Sequence, residues 1–297
     1  MRHWFDKSVI LHLRIPFSFF LMPVFCFSLS QSPKPDLLVA LGVFLILHLL
    51  LYPASNGYNS YYDKDEGSIG GLENPPPVSK NLLYAAWSFD VVALLLGLFI
   101  SWHFALGLLV YGLVSKAYSH DKIRLKKYPV LSWLVIGFFQ GAFMYWLVFQ
   151  AINHLPFRAL LQPEVWIPAG LSSLLLMAAY PMTQIYQHEE DARRGDLTLS
   201  RLLGIQGTFL FTATAFLLVN VGFFLYFHYY VLLGLVFFGL FQLLLAPVLI
   251  YFFSWFLRAK RDEKQVDFHS TMRLNLISAV CMNMFFLLFF LLNANFG

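Results

Sequence analysis

The sequence is poor in charged residues and in cysteine. Asp, Glu, Lys and Arg make up 12% of its 297 residues, about half the share found in a soluble domain. The two cysteines, Cys26 and Cys281, lie inside apolar runs and form neither a disulfide framework nor a metal–thiolate pattern. These shortages exclude a large soluble domain and a fold stabilised through cysteine.

What the sequence does contain is apolar and aromatic. Hydrophobic residues reach 59%, with 33 Phe, 15 Tyr and 7 Trp, and the mean hydropathy is +0.66. A membrane helix needs about 20 mainly apolar residues. The apolar runs therefore predict an all-α polytopic membrane protein, a single domain over residues 1–297, surrounded by lipid and without a nucleic-acid partner. Its nine predicted spans are 12–30, 37–55, 82–101, 103–117, 130–151, 165–186, 206–227, 229–256 and 273–294.

Lysine and arginine are distributed unevenly among the loops. If the N-terminus is cytoplasmic and the chain crosses the membrane nine times, every basic residue except Lys34 and Arg158 falls on the cytoplasmic side. Cytoplasmic loops of membrane proteins carry the excess of Lys and Arg. We therefore predict a cytoplasmic (inner) membrane protein whose N-terminus and active site face the cytoplasm.

The stretch from Asn59 to Gly67, which reads NSYYDKDEG, follows the second apolar run. If the helix of that run continues, Asn59 and Asp63 lie four residues apart on one helix face. Amide and carboxylate oxygens are hard ligands that suit Mg²⁺. The pattern predicts a magnesium site, with Asp65 and Glu66 as further candidate ligands. The alternative is a solvated polar loop.

A second polar stretch, from Gln187 to Asp196, follows the sixth apolar run, and Gln187 and Asp191 repeat the four-residue spacing. The chain thus contains a coarse internal repeat, in which spans one to four and five to eight each place an acidic stretch after the second helix and a basic loop after the fourth. A repeat of this kind brings both stretches together across a helical bundle. We predict one site, with Gln187 and Asp191 as metal ligands and Asp196 as a further candidate.

Basic residues accompany both stretches. Lys122, Arg124 and Lys126 lie in the loop after the fourth span, and Arg194 lies in the second polar stretch. These side chains are candidates for binding phosphate oxygens. The alternatives are the positive-inside signal with contacts to anionic lipid for the loop, and helix capping or ion pairing for Arg194.

Together these features resemble the UbiA superfamily of intramembrane prenyltransferases. The resemblance covers most of the chain, and the segments that carry it are Arg14-Ile-Pro16, Asn59-x-x-x-Asp63, Tyr118-Ser119 with Arg124-Leu-Lys126-Lys127, and Asp191-x-x-x-Gly195-Asp196-Leu-Thr198-Leu199. It implies Mg²⁺-dependent transfer of a prenyl group from a prenyl diphosphate to a lipophilic acceptor, often an aromatic compound or quinone precursor. It also implies catalytic roles for Asn59, Asp63 and Asp191, and diphosphate contacts from Arg14, Lys122, Arg124, Lys126 and Arg194.

The sequence departs from the family's usual motifs. The first motif usually reads Asn-Asp-x-x-Asp-x-x-x-Asp, but Ser60 and Gly67 stand where two of its aspartates belong. Gln187 replaces the aspartate that opens the second motif, and Asn74 replaces an arginine before the proline run. Fewer carboxylates imply weaker or differently arranged Mg²⁺ binding. Two alternatives therefore stay open, a non-catalytic family member that binds isoprenoid lipid and a small-molecule transporter.

Overall fold

A computed structural model of the chain describes residues 6–293, and within that range the regular structure is helical. Three short 3₁₀ turns, Leu125–Lys127, Phe157–Leu161 and Glu263–Gln265, lie in loops between the main helices. Nine helices form the bundle in the described range: α1 Lys7–Ser30, α2 Leu37–Asp63, α3 Lys80–Ile100, α4 Trp102–Ser119, α5 Pro129–Ile152, α6 Pro163–Arg194, α7 Leu199–Tyr230, α8 Gly234–Arg261 and α9 Phe268–Asn293.

The predicted all-α membrane fold with nine helices is confirmed. Eight of the helices in the described range are long and apolar enough to cross a membrane. The other, α4, has 18 residues and includes Lys116, which forms a buried ion pair with Asp90 of α3. Arg2, counted among the cytoplasmic basic residues, and Ala294, the end of the predicted ninth span, lie outside the described residues.

Two predicted spans end too early. The predicted spans 37–55 and 165–186 stop where the apolar residues stop, whereas α2 and α6 continue to Asp63 and Arg194. The final turns of both helices carry the polar residues of the candidate site, so hydropathy alone does not detect them. Each helix ends at a residue with positive φ, Lys64 at 50° and Gly195 at 72°. A left-handed residue at this position closes the last turn of a helix.

Helix α5 contains a π-helical turn from Phe138 to Phe143, next to its closest approach to α6. A Cβ on Gly141 would lie 2.5 Å from the Cα of Ser173 in α6, so only glycine permits this contact. The hydroxyl of Ser173 accepts a hydrogen bond from the backbone N–H of Ala142 at 2.9 Å. A π-helical turn interrupts the regular backbone hydrogen bonds of an α-helix. Here Ser173 of the neighbouring helix accepts a hydrogen bond from a backbone N–H of the turn.

Phenylalanine side chains fill the core between α1, α7, α8 and α9. Phe27 stacks on Phe286 with centroids 4.5 Å apart, and Phe241 contacts Phe285 at 4.8 Å. Offset and edge-to-face contacts of this type add to the energy of apolar burial. These contacts join the four helices, and the two cavities described below are lined mainly by α2, α4, α5 and α6.

The loops after α2, α4, α6 and α8 meet at one end of the bundle. Arg194 at the end of α6 pairs with Asp65 at 3.2 Å, and Arg124 in the α4–α5 loop lies 3.5 Å from Asp63. His269 at the start of α9 contacts Glu73 of the α2–α3 loop at 2.9 Å. Both acidic stretches therefore lie at the same end, as the nine-span arrangement requires.

Candidate active site

Two adjoining cavities open at this end of the bundle. The outer cavity, about 140 Å³, is lined mainly by polar side chains from the ends of α2 and α6 and from the α2–α3 loop. The inner cavity, about 170 Å³, continues between α1, α2, α4 and α5. Both cavities are lined by Arg14, Phe17, Asn59, Tyr118 and Tyr180, which therefore mark their junction.

The end of α2 presents an amide and a carboxylate to the outer cavity. Asn59 Nδ2 donates hydrogen bonds to Asp63 Oδ2 at 2.6 Å and to Ser119 Oγ of α4 at 2.9 Å. Both bonds use the amide nitrogen, so the amide oxygen of Asn59 is the atom left for a ligand. Asp63 is 3% exposed, and one helical turn separates it from Asn59, as the spacing predicts.

The α4–α5 loop places two cations against these carboxylates. Lys126 Nζ bridges Asp63 at 2.7 Å and Asp196 at 3.0 Å. Arg124 binds Asp196 with two hydrogen bonds of 2.8 Å each. Burial lowers the pKa of Lys126, but the two carboxylates outweigh that effect and raise its pKa above the ordinary value. Lys126 therefore remains charged and lines the outer cavity.

The end of α6 repeats the arrangement of α2. Gln187 Nε2 donates a hydrogen bond to the carbonyl oxygen of Ser68 at 3.0 Å, so its amide oxygen is left for a ligand. Asp191 accepts a hydrogen bond from Thr198 Oγ1 at 3.1 Å. Gln187 and Asp191 line the same outer cavity as Asn59 and Asp63, so the two stretches that are far apart in sequence contribute to one site.

Asp65 joins the outer cavity from the α2–α3 loop. Its carboxylate pairs with Arg194 Nε at 3.2 Å, and the same nitrogen lies 3.3 Å from Glu190. Burial, together with the nearby Asp63 carboxylate, raises the pKa of Asp65 to about 6. The Asp65 and Asp63 carboxylates thus repel one another although cationic side chains lie nearby. A bound cation would relieve this repulsion.

Five predicted site residues line neither cavity, and one of them is Arg124, which is paired with Asp196. Lys122 and Glu66 are exposed and line neither cavity. Asp196 is 1% exposed, and its carboxylate binds Arg124 and Lys126. Arg194 lines neither cavity, and its ion pairs join α6 to the α2–α3 loop. The spacing of residues along the chain could not predict these ion pairs, because the partners lie in loops that are distant in sequence.

Arg14 lies at the junction, but much of its hydrogen-bonding capacity is used within the protein. The residue has a left-handed backbone, with φ 46° and ψ 45°, where the first turns of α1 give way to a 3₁₀ segment. Its guanidinium donates to the carbonyl oxygens of Gly70 at 3.0 Å and Asn56 at 3.2 Å. Nε is buried without a hydrogen-bond partner among the described residues. Arg14 therefore fixes the α2–α3 loop over the site and keeps donors, Nε among them, for a ligand.

Several residues of the site were not predicted from the sequence. Tyr118 and Tyr180 line both cavities and share a hydroxyl–hydroxyl hydrogen bond of 2.5 Å, although Tyr180 lies in the apolar part of α6. Thr198 orients Asp191, and Phe17 contacts Arg14 by a cation–π interaction at 5.5 Å. Tyr118 and Thr198 lie inside the quoted motifs and could have been assigned roles, whereas nothing in the sequence distinguishes Phe17 or Tyr180.

Comparison with known proteins identifies the family. The UbiA prenyltransferase family profile matches residues 19–291. The chain belongs to the UbiA prenyltransferase family. A search of curated proteins finds no match.

Among solved structures, the UbiA fold of this chain is similar to that of a UbiA homologue from Archaeoglobus fulgidus bound to DMAPP and Mg²⁺. The TM-score is 0.69 at 18% identity, over 97% of this chain and 99% of that one. The same homologue bound to GPP and Mg²⁺ gives 0.66 at 17% identity, over 97% and 100%. A structure of digeranylgeranylglyceryl phosphate synthase gives 0.58 at 16% identity, over 97% and 98%.

The oxygen ligands of this UbiA family member fit Mg²⁺. Within the described residues, no three acidic, His or Cys side chains converge as a ready-made metal cage. Mg²⁺ rarely uses such a cage, since it is held by one or two carboxylates together with water and substrate phosphates. Asp63 and Asp191, with the amide oxygens of Asn59 and Gln187, offer this type of donor set from two sides of the outer cavity.

Proposed function

We propose that this UbiA family protein is a Mg²⁺-dependent intramembrane prenyltransferase. It would transfer a prenyl group from a prenyl diphosphate to a lipophilic acceptor, aromatic or a quinone precursor. The observation that supports this most directly is the shared outer cavity. Asp63 and Asp191 come from different helices, line that cavity together with Lys126, and stand beside a second cavity that leads into the bundle. The archaeal homologues of this fold, which are described with DMAPP or GPP and Mg²⁺, are consistent with it.

In this proposal the carboxylate and amide side chains bind the metal, and the cationic side chains bind the diphosphate. Asn59, Asp63, Gln187 and Asp191 would hold Mg²⁺, which when bound neutralises the diphosphate as it leaves. Lys126 lines the outer cavity and would donate charge-assisted hydrogen bonds to the diphosphate. Arg124 lies beside it, held by Asp196, and would add positive charge. Fixed charges of this kind need no rearrangement as the negative charge develops.

The aromatic residues at the junction would protect the reacting carbon. Breakage of the C–O bond leaves the electron pair on the diphosphate and an allylic cation on the prenyl group. Phe17, Tyr118 and Tyr180 surround the passage between the two cavities, and aromatic faces attract cations. An electron-rich acceptor atom then forms the new bond to this cation and gives up its proton to the departing diphosphate, while the apolar bundle excludes water.

The uneven distribution of Lys and Arg favours a site on the cytoplasmic face of an inner membrane. A prenyl diphosphate would then reach the outer cavity from the cytoplasm, and the lipophilic acceptor and product would move through the lipid. A transporter would not need metal ligands on one face alone, whereas both acidic stretches here lie at the same end of the bundle.

Labelled DMAPP and geranyl diphosphate, incubated with membranes that contain the protein and with a lipid extract, test this proposal. The wild-type protein should release diphosphate and form a labelled lipophilic product, in both cases only with Mg²⁺. Asp63→Asn and Asp191→Asn should each lower both signals by about 100-fold or more. Glu189→Gln is the matched control, because Glu189 lies in the same helix as Asp191 but its side chain is 93% exposed.

The outcomes separate the alternatives. Binding of labelled prenyl diphosphate without release of diphosphate would identify a non-catalytic lipid-binding protein. Uptake of label into proteoliposomes without any new product would identify a transporter. If Asp63→Asn keeps its fold and the wild-type rate, the outer cavity is not the site of prenyl transfer.

A further inference from the structure

A chain of hydrogen bonds leads from Gln184, near the end of α6, to the junction of the two cavities. We propose that Gln184 is a positioning residue whose amide sets the direction of this chain, so that the Tyr118 hydroxyl donates a hydrogen bond to a ligand. The ligand atom is the oxygen of the C–O bond that breaks. The inference therefore rests on the proposed prenyltransferase function.

Helix spacing brings the first two members of the chain together. Tyr180 and Gln184 lie four residues apart in α6 and therefore share a helix face. Nε2 of Gln184 donates a hydrogen bond to the Tyr180 hydroxyl at 3.3 Å, and the Tyr180 and Tyr118 hydroxyl oxygens lie 2.5 Å apart. All three side chains line the outer cavity, and both tyrosines also line the inner cavity. The chain thus follows the wall of the site and ends at the junction.

The amide of Gln184 decides which hydroxyl is the donor at each step. An amide nitrogen only donates, whereas a hydroxyl group has one proton and also accepts. A hydroxyl that accepts a hydrogen bond becomes a stronger donor, so Tyr180 accepts from Gln184 and donates to Tyr118. Tyr118 then keeps its own proton for a further acceptor, since it makes no other hydrogen bond among the described residues.

The charges of the outer cavity favour the same direction. Asp63 and Asp191 line this cavity together with Tyr118, and negative charge attracts the hydrogen end of a hydroxyl group. The other amide atom of Gln184, Oε1, is buried and has no hydrogen-bond partner among the described residues. The side-chain amide of Gln184 is thus hydrogen-bonded through its nitrogen, to Tyr180.

Tyr118 lies where the reacting bond of a prenyl diphosphate would lie. The diphosphate would occupy the outer cavity beside Lys126, and the aromatic residues of the junction would surround the reacting carbon. When the C–O bond breaks, its electron pair stays on the oxygen of the diphosphate. A hydrogen bond from Tyr118 to this oxygen strengthens as the negative charge develops, while the proton remains on Tyr118. An interaction that strengthens in the transition state raises kcat more than it lowers KM.

The substitution Gln184→Glu tests the direction of the chain, because a carboxylate only accepts hydrogen bonds. Tyr180 would then donate to the new carboxylate and Tyr118 would donate to Tyr180, which leaves no proton for the ligand. We expect kcat for Mg²⁺-dependent release of diphosphate from geranyl diphosphate to fall by about tenfold or more. Tyr118→Phe should cause a similar loss. Gln265→Glu, the same exchange at an exposed loop position, is the matched control and should cause none.

A second substitution separates the direction of the chain from the added charge. Tyr180→Phe removes the hydroxyl that would otherwise take the Tyr118 proton in Gln184→Glu. The double variant should therefore recover the kcat of Tyr180→Phe alone, a strongly non-additive result. A carboxylate that acts only through its charge, or that damages the fold, would not be rescued by the loss of a neighbouring hydroxyl.

Substrate binding is measured separately with geranyl thiolodiphosphate, in which sulfur replaces the oxygen of the breaking bond. Sulfur is a weak hydrogen-bond acceptor, so Tyr118→Phe should leave the dissociation constant of this analogue with Mg²⁺ unchanged. Failure of Tyr180→Phe to restore kcat, or a loss in Tyr118→Phe confined to affinity, would overturn the proposal and leave the prenyltransferase function standing. Absence of diphosphate release by the wild-type protein would overturn the proposed function, and this inference with it.

Discussion

Arg124 holds Asp196 through two hydrogen bonds of 2.8 Å, from Nε and Nη2 to the two carboxylate oxygens. Asp196 is 1% exposed, and Lys126 contacts the same carboxylate at 3.0 Å. A carboxylate close in sequence to the proposed metal ligand Asp191 thus contacts two cationic side chains. The positions of Arg124 and Lys126 above the outer cavity depend on it.

Asp196→Asn should therefore impair the binding of prenyl diphosphate while Asp63 and Asp191 are untouched. Loss of one partner of a buried ion pair costs about 3–5 kcal/mol, so we expect a lower melting temperature and a KM for prenyl diphosphate raised by about tenfold or more. Asp121→Asn is the matched control, because Asp121 also contacts Arg124, at 3.5 Å, but its side chain is 67% exposed. Equal effects of the two substitutions would show that Asp196 is not required to position Arg124 and Lys126 for diphosphate binding.

Substitutions at Gln187 test how the smaller number of carboxylates affects Mg²⁺ binding. Its Nε2 is held by Ser68, so Gln187→Asp should replace a neutral oxygen ligand by a charged one and lower the Mg²⁺ concentration needed for half-maximal rate. Gln187→Leu should raise that concentration, since it removes the oxygen and keeps similar bulk. A magnesium titration of the three proteins, with melting temperatures from the same samples, is the measurement. An unchanged half-maximal concentration in both variants would exclude Gln187 as a ligand.

The ion pair between Asp90 and Lys116 lies inside the bundle, with both side chains 9% exposed. The ammonium group of Lys116 also lies over the rings of Trp87 at 4.7 Å and Tyr58 at 5.2 Å. Lys116→Met should lower the free energy of unfolding by about 3–5 kcal/mol, because it leaves a buried carboxylate unpaired.

The double variant Asp90→Leu with Lys116→Met should recover much of this loss, since a buried pair can be replaced by apolar side chains. Thermal unfolding of the single and double variants in the same detergent is the measurement. A double variant less stable than Lys116→Met alone would mean that the pair stabilises the bundle beyond the cost of burying its charges.

The orientation in the membrane can be tested with cysteines at two exposed positions, Lys122 and Arg158. The loop with Lys122 should be labelled by an impermeant maleimide from the cytoplasmic side, and the loop with Arg158 from the opposite side. Both variants are made in a Cys281→Ser background, and Cys26 is buried. Labelling of both positions from the same side would contradict the nine-helix orientation.

The sequence alone determined the number and nature of the helices. Apolar runs of membrane length can satisfy their backbone only as helices, and so the nine spans followed from composition. The four-residue spacings Asn59 to Asp63 and Gln187 to Asp191 fixed which side chains share a helix face, because that depends only on helix periodicity. The polar and basic stretches themselves indicated the other candidates, and the family resemblance added Arg14.

Only the tertiary structure decided which of these residues line the two cavities. Asp196 and Arg194 have the right chemistry for the site, but loops from other helices supply their ion-pair partners. The close contact between α5 and α6 joins Gly141 and Ala142 to Ser173, about 30 residues further along the chain. Contacts between segments far apart in the chain follow from packing, and local periodicity carries no information about them.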